Sequence, residues 1–277
     1  MYSESEHTPQ AIASRPYRVR IGQYLNEGWQ IFSTQPAAYI GFFILATIIH
    51  GLLNNIPGAG PIISSLLAGL FSAGYYFFGF RIVRNQRPEF THFFDAFKNN
   101  YFLPIFLTNT LIALITNVFV ISASVLFMIA GLPFFRGLLE QAAVEGAAPN
   151  EDIEELLTLL DQLPTLPDVV TPILILAGVI LLLPGIYFGV AYLFAVPLVV
   201  EHRFDVWPAL ETSRRLISRA WWSFFFLNVS IIFFNILGFC LCCVGMLVTI
   251  PWSSCVIVAA YRDIIGLIPT PDTTDGF

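Results

Sequence analysis

Apolar and polar positions fall into blocks along this chain. Six apolar stretches lie near residues 37–55, 62–83, 101–132, 172–199, 221–239 and 246–263. Each is close to or above the roughly 20 residues that cross a hydrocarbon core about 30 Å thick. Ahead of each odd-numbered stretch runs a shorter segment with apolar residues at helical spacing on one face. In the first, Ile21, Tyr24, Leu25, Gly28, Trp29 and Phe32 oppose Gln23, Asn26, Glu27 and Gln30. In the second, Phe90, Phe93, Phe94, Phe97 and Tyr101 oppose Glu89, His92, Asp95 and Lys98. In the third, Val206, Leu210, Ser213, Ile217 and Trp221 share a face, with Asp205 as N-cap and Pro208 in the first turn. The pattern predicts an all-α polytopic membrane protein with six transmembrane helices and three amphipathic helices lying in the interface plane. Helix, span, turn, span recurs three times, with the turns marked by the run from Pro57 to Pro61, by Pro172, and by Gly245 with Pro251.

Composition agrees with that class. The 277 residues are 56% hydrophobic and only 12% charged, where soluble domains carry about a quarter charged residues. The charges then orient the spans. With six spans, Arg15, Arg18, Arg20, Arg81, Arg84, Arg87, Lys98, Arg203, Arg214, Arg215, Arg219 and Arg262 all fall on one side, and Arg136 alone on the other. Lys and Arg in short loops stay on the cytoplasmic side, so both termini are expected there. The uncharged run from Asn99 to Phe135, 37 residues, is long for one upright helix. Splitting it into two spans breaks the arginine alternation, so one tilted helix is expected.

Residues 1–16 lack the apolar core of a cleavable signal and read as a disordered tail, so the first span doubles as an uncleaved anchor and the chain is expected to start near Met1. Residues 17–266 read as a single six-helix domain, and 267–277 as a C-terminal tail. Eight of the nineteen acids fall in the stretch 135–171, an extracytoplasmic loop. Within it, Asn150 as cap and Ile153, Leu156, Leu157 and Leu160 on one face predict a short helix. The net charge of −6 comes largely from this loop and gives no reason to expect a nucleic-acid partner.

Candidate chemistry is sparse. Cys240, Cys242, Cys243 and Cys255 match no zinc spacing and no secreted disulfide framework, and read as small buried hydrophobes. No phosphate-binding loop, nucleophile elbow, paired-carboxylate site or cofactor motif is present in the sequence, which argues against an enzyme. No acid or base sits mid-span, as ion-coupled transporters usually require. Asn109, Thr116 and Asn117 in span three, and Asn228, Ser230 and Asn235 in span five, either bond neighbouring helices or line a hydrated path. His50 reads as an interface residue, and Ser65, Gly69 and Ala73 as a stripe for close helix approach. Trp29, Trp207, Trp221 and Trp222 beside the arginine clusters suit an anionic leaflet.

The run Ile21-Gly22-Gln23-Tyr24-Leu25-Asn26-Glu27-Gly28-Trp29-Gln30-Ile31-Phe32, the run Ala209-Leu210-Glu211-Thr212-Ser213-Arg214-Arg215-Leu216, and the run from Gly245 to Pro251 with Ala259-Ala260-Tyr261-Arg262-Asp263 resemble a group of small bacterial integral membrane proteins of unknown function. That group is similar to the membrane region preceding the catalytic domain in some glycerophosphodiester phosphodiesterases. The resemblance covers roughly residues 18–266 and implies a six-helix bundle with interfacial helices; no phosphodiesterase domain is attached here, so no catalysis carries over.

The expected function is non-enzymatic: organising membrane lipid, notably anionic phospholipid, or a membrane protein partner through Trp29, Arg81, Arg84, Trp207, Arg214 and Arg215. The alternative is a passive transporter or channel for a small solute or lipid, lined by Asn109, Asn117, Asn228 and Asn235.

Overall fold

The computed structural model describes residues 8–144, 158, 167, 169–241 and 244–268. Among these the chain is helical, and six of the helices are long and apolar enough to cross a membrane. In order, α1 is Pro9–Ser14, α2 Ile21–Thr34, α3 Pro36–Asn54 and α4 Gly60–Val83; a 3-10 helix covers Phe90–Phe97; α5 is Asn99–Val144, α6 Val170–Ala191, α7 Ala195–His202, α8 Val206–Ser218, α9 Trp221–Cys240 and α10 Met246–Ile264. The candidate spans are α3, α4, α5, α6 running on into α7, α9 and α10. The chain divides into two compact units, Met1–Ala113 with Gly189–Phe277, and Leu114–Phe188.

Helix α5 is continuous over 46 residues, about 69 Å at 1.5 Å per residue. The long uncharged run is therefore one helix, and it extends past position 135 to Val144. The expected loop is correspondingly shorter, and its predicted helix around Asn150 to Leu160 lies outside the described residues. Within the second unit, α6 comes close to α5 where side chains are small: Gly178 faces Phe127, and Gly185 faces Phe119 and Val120. Phe119 and Phe188 stack at 6.1 Å. Arg136 is tied to Glu140 one turn on, at 2.8 Å.

The first unit is built around α4 and α10, the most buried of the six spans. Phe93 of the 3-10 helix is inserted between Phe42 of α3 and Phe78 of α4, with ring centroids 4.3 and 4.0 Å away and both pairs stacked. Tyr39 meets the same ring edge-on at 5.7 Å. The 3-10 helix starts where the Glu89 amide donates to His92 Nδ1 at 2.8 Å, a reciprocal cap that satisfies an end donor.

Helix α2 lies on α10 because Gly28 carries no side chain. A Cβ there would come within 2.6 Å of Val256 Cγ2 and 2.8 Å of the Val256 backbone. Tyr24, Ile31 and Phe32 flank this contact, buried at helical spacing, while Trp29 stays 51% exposed. At the same junction Arg20 pairs with Asp263 and Arg262 with Glu27. Tyr24 donates to the Asp263 carboxylate at 2.8 Å, and its hydroxyl is pushed up, first by burial and then by that bond, so it stays a donor.

Helix α8 buries Ala209, Leu210, Ser213, Leu216 and Ile217. Asp205 takes the N-cap position, but its side chain makes no cap bond. The α6 to α7 break is held by Ser213, whose hydroxyl donates to the Ala191 carbonyl at 2.8 Å and accepts from the Phe194 amide at 3.2 Å. Two backbone groups that the break would strand are thereby satisfied.

The expected disordered tail is partly helical. Thr8 caps α1 by accepting from the Ala11 amide at 3.3 Å, Pro9 takes the first position, and Ile12 is fully buried against the core. Arg219 donates to the Ala13 and Arg15 carbonyls at 3.0 Å, and Arg15 donates to the Ile265 carbonyl. Tertiary contacts thus order a segment too short to be helical alone. At the other end Leu267 and Ile268 also belong to the packed unit.

Candidate functional site

The arginine-bearing ends of α4, α7 and the segment before α5 enclose a cavity of about 640 Å³, within the usual size range of ligand pockets. Its apolar wall is Phe77, Phe80, Val200 and Ile268. Its polar wall is Arg81, Arg84, Gln86, Asp95, Lys98, Tyr101, Glu201, His202 and Arg203.

The charged groups are brought together by several elements. Arg81 and Arg84 lie at the last turn and C-cap of α4. The 3-10 helix places Asp95 between two cations, with Arg81 Nη2 at 2.7 Å and Lys98 Nζ at 2.6 Å. Helix α7 ends with Glu201, whose carboxylate pairs with Arg84 and accepts from the Ile268 amide at 2.8 Å. His202 Nδ1 lies 2.7 Å from the Tyr261 hydroxyl. Arg203 then turns the chain with φ 52°, a left-handed conformation that costs a non-glycine residue roughly 1–2 kcal/mol. Its guanidinium donates to Tyr101 Oη at 2.6 Å and lies 4.7 Å from that ring's centroid. Strained, over-determined residues of this kind cluster at functional positions.

Four cations face two carboxylates across the cavity, and both carboxylates are already engaged. Arg81 Nη1 and Arg84 Nε are buried donors with no hydrogen-bond partner among the described residues, each costing on the order of 1–3 kcal/mol until an acceptor meets it. The excess positive charge and the forked guanidinium donors suit an oxyanion. The Phe77, Phe80 and Val200 wall suits an attached apolar group.

At this point comparison with known proteins adds a family. Residues 30–267 match the family described as protein of unknown function (DUF975). The chain belongs to DUF975. No curated protein and no solved structure matches it.

Of the six rim residues read from the sequence, only Arg81 and Arg84 line the cavity. Trp29 and Trp207 are exposed, at 51% and 69%. Arg214 and Arg215 stand on α8 and are both held by Glu211, Arg214 through two bonds of 2.8 Å. Their pull holds the Glu211 carboxyl down at about 2, with the Arg214 bond the largest cause.

The four asparagines are not among the cavity's lining residues. Asn109 donates to the Ile105 carbonyl at 3.0 Å and packs on Gly69, where a Cβ would fall 2.3 Å from its Cγ. Gly69 and Ala73 are buried, whereas Ser65 of the same stripe is exposed. Asn235 bonds across to Ser253 Oγ of α10 at 2.9 Å. Asn117 is exposed and Asn228 half-buried. His50 Nδ1 lies 2.6 Å from Ser64 Oγ, linking α3 to α4. Cys255 is buried and Cys240 exposed at the end of α9, both as free thiols; Cys242 and Cys243 lie outside the described residues. Among the described residues no group of three or more His, Cys, Asp or Glu is placed to hold a metal ion.

Sequence reasoning passed over Lys98, Tyr101, Glu201 and Arg203 as ligand groups. The available signal was Glu201, an acid at the very end of a long apolar run.

Proposed function

We propose that the protein is a non-enzymatic, multi-pass component of the bacterial inner membrane, with both termini in the cytoplasm, that organises lipid by holding an anionic headgroup in the cavity at the arginine-bearing ends of its helices. The carrying observation is the cavity itself, where Arg81, Arg84, Lys98 and Arg203 outnumber Asp95 and Glu201 beside an apolar wall. An amphiphile needs such a pairing of cationic and apolar surfaces. The exposed Trp29, Trp207 and Trp222 support anchoring at a headgroup boundary, where indole rings prefer to lie. Helices α2 and α8 and the 3-10 helix would rest in that plane.

In the non-enzymatic reading Asp95 and Glu201 serve to position the arginines, each being paired with a guanidinium. The resemblance to the membrane region of some glycerophosphodiester phosphodiesterases supports lipid as the medium of action and no more than that.

Native mass spectrometry of the full chain, released gently from its own membrane, tests the proposal. An anionic phospholipid at one per chain, lost when Arg81 and Arg84 become Gln, is expected. A bare chain, or lipid retained equally by the double variant, would overturn it. Release of a bound membrane protein without lipid would move the role to that partner. A reporter fused after the last helix should read as cytoplasmic.

A further inference from the structure

We infer that this cavity takes a phosphate monoester, the dianionic headgroup, in preference to the monoanionic phosphodiester of most anionic phospholipids. The inference rests on the headgroup reading above and adds the ligand's charge and substitution.

The charge count points there. Among the described lining residues, Arg81, Arg84, Lys98 and Arg203 leave two positive charges unmatched by Asp95 and Glu201. A phosphate monoester carries about −1.5 to −2 near pH 7 and presents three terminal oxygens; a diester carries −1 and presents two. The donors point the same way, since Arg81 and Arg84 hold their acids through Nη2 and each keeps another donor unpaired, Nη1 and Nε respectively. Two guanidinium groups one helical turn apart, with donors to spare, suit an anion with several terminal oxygens. A diester gives up one terminal oxygen and one negative charge to its second ester bond, leaving fewer acceptors for these donors.

Two sources share this chemistry: a lipid of the phosphatidic acid kind, or a soluble phosphate monoester. The experiment separates them. The full chain in nanodiscs of neutral lipid is doped with equal phosphatidic acid and phosphatidylglycerol, and retained lipid is read by native mass spectrometry, with and without excess glycerol 3-phosphate. Preference for phosphatidic acid above tenfold is expected, undiminished by the soluble ester. Full displacement by glycerol 3-phosphate would assign the site to a soluble monoester and overturn the lipid source.

Equal retention of the two lipids would overturn the monoester assignment while leaving the headgroup reading standing. Retention of neither lipid, with no glycerol 3-phosphate bound to the chain either, would overturn both. Because Arg81→Gln also strips Asp95 of a partner, Arg84→Lys is measured beside it. It keeps the charge but loses the fork, and preference is expected to fall to within about threefold of parity with the melting temperature held. A preference unchanged in Arg84→Lys would overturn the role of that guanidinium.

Discussion

The Asp95 carboxylate holds Arg81 at 2.7 Å and Lys98 at 2.6 Å, and it is itself almost completely buried. One acid thus fixes the end of α4 to the 3-10 helix and sets the charge of the cavity. Replacing it with Asn leaves Arg81 beside a neutral group, and breaking a buried pair from one side costs about 3 kcal/mol. Asp95→Asn should lower the melting temperature in detergent yet raise retention of anionic lipid, because the cavity gains one unit of net positive charge. Lower stability with unchanged retention would mean that Asp95 serves folding alone.

The contact of Gly28 with Val256 predicts a second outcome. Backbone atoms of α10 stand where a Cβ would go, so Gly28→Ala forces α2 off α10 and should cost at least 1–3 kcal/mol. Gly22 on the same helix has open space at that position. There Gly22→Ala should be neutral or stabilising by up to about 1 kcal/mol, as helix propensity dictates. Thermal unfolding of the two variants side by side makes the comparison.

Asn235 separates the packing role from a solute path. Its amide is committed to Ile231 and Ser253, and an interhelical bond in lipid contributes on the order of 0.6–2 kcal/mol. Asn235→Cys should be slow to react with a membrane-impermeant thiol reagent and slightly destabilised. Rapid labelling would revive the water-filled path.

Glu211 supplies a pH dependence. Its folded carboxyl is held at about 2 by Arg214 and Arg215, below the ordinary value of about 4.3. The folded state therefore binds fewer protons than the unfolded one in this window, and the contribution is fully present above about pH 4.3 and lost as pH falls toward 2. Between pH 5 and pH 3 the wild-type chain should lose more stability than Glu211→Gln. Reversing Arg214 and Arg215 to Glu should reduce retention of anionic lipid at the protein's rim in mixed-lipid nanodiscs, by about 1 kcal/mol per basic residue at the surface, while leaving the cavity's lipid in place.

The six spans were legible because hydropathy alone sets them, and α5 was legible as one helix because the arginines alternate only if it is unbroken. Helix α1 was not, since its order comes from Ile12 meeting residues two hundred positions away, although Thr8-Pro9 is a start signal. The cavity was half legible. Arg81 and Arg84 could be chosen from sequence as rim cations, but Asp95, Tyr101, Glu201 and Arg203 reach them from distant segments through tertiary folding. Arg214 and Arg215 read from sequence as rim cations like Arg81 and Arg84. Glu211, three and four residues before them on one predicted helix, was a legible partner by spacing, and the fold places all three away from the cavity lining.

The most direct measurement is an experimental structure of the chain solved in its native lipid, with the cavity as the object. Phosphate density within hydrogen-bond distance of Arg81 and Arg84 is expected, with an acyl chain leaving along Phe77 and Phe80. A cavity holding only water, with ordered lipid confined to the tryptophan rim, would contradict it.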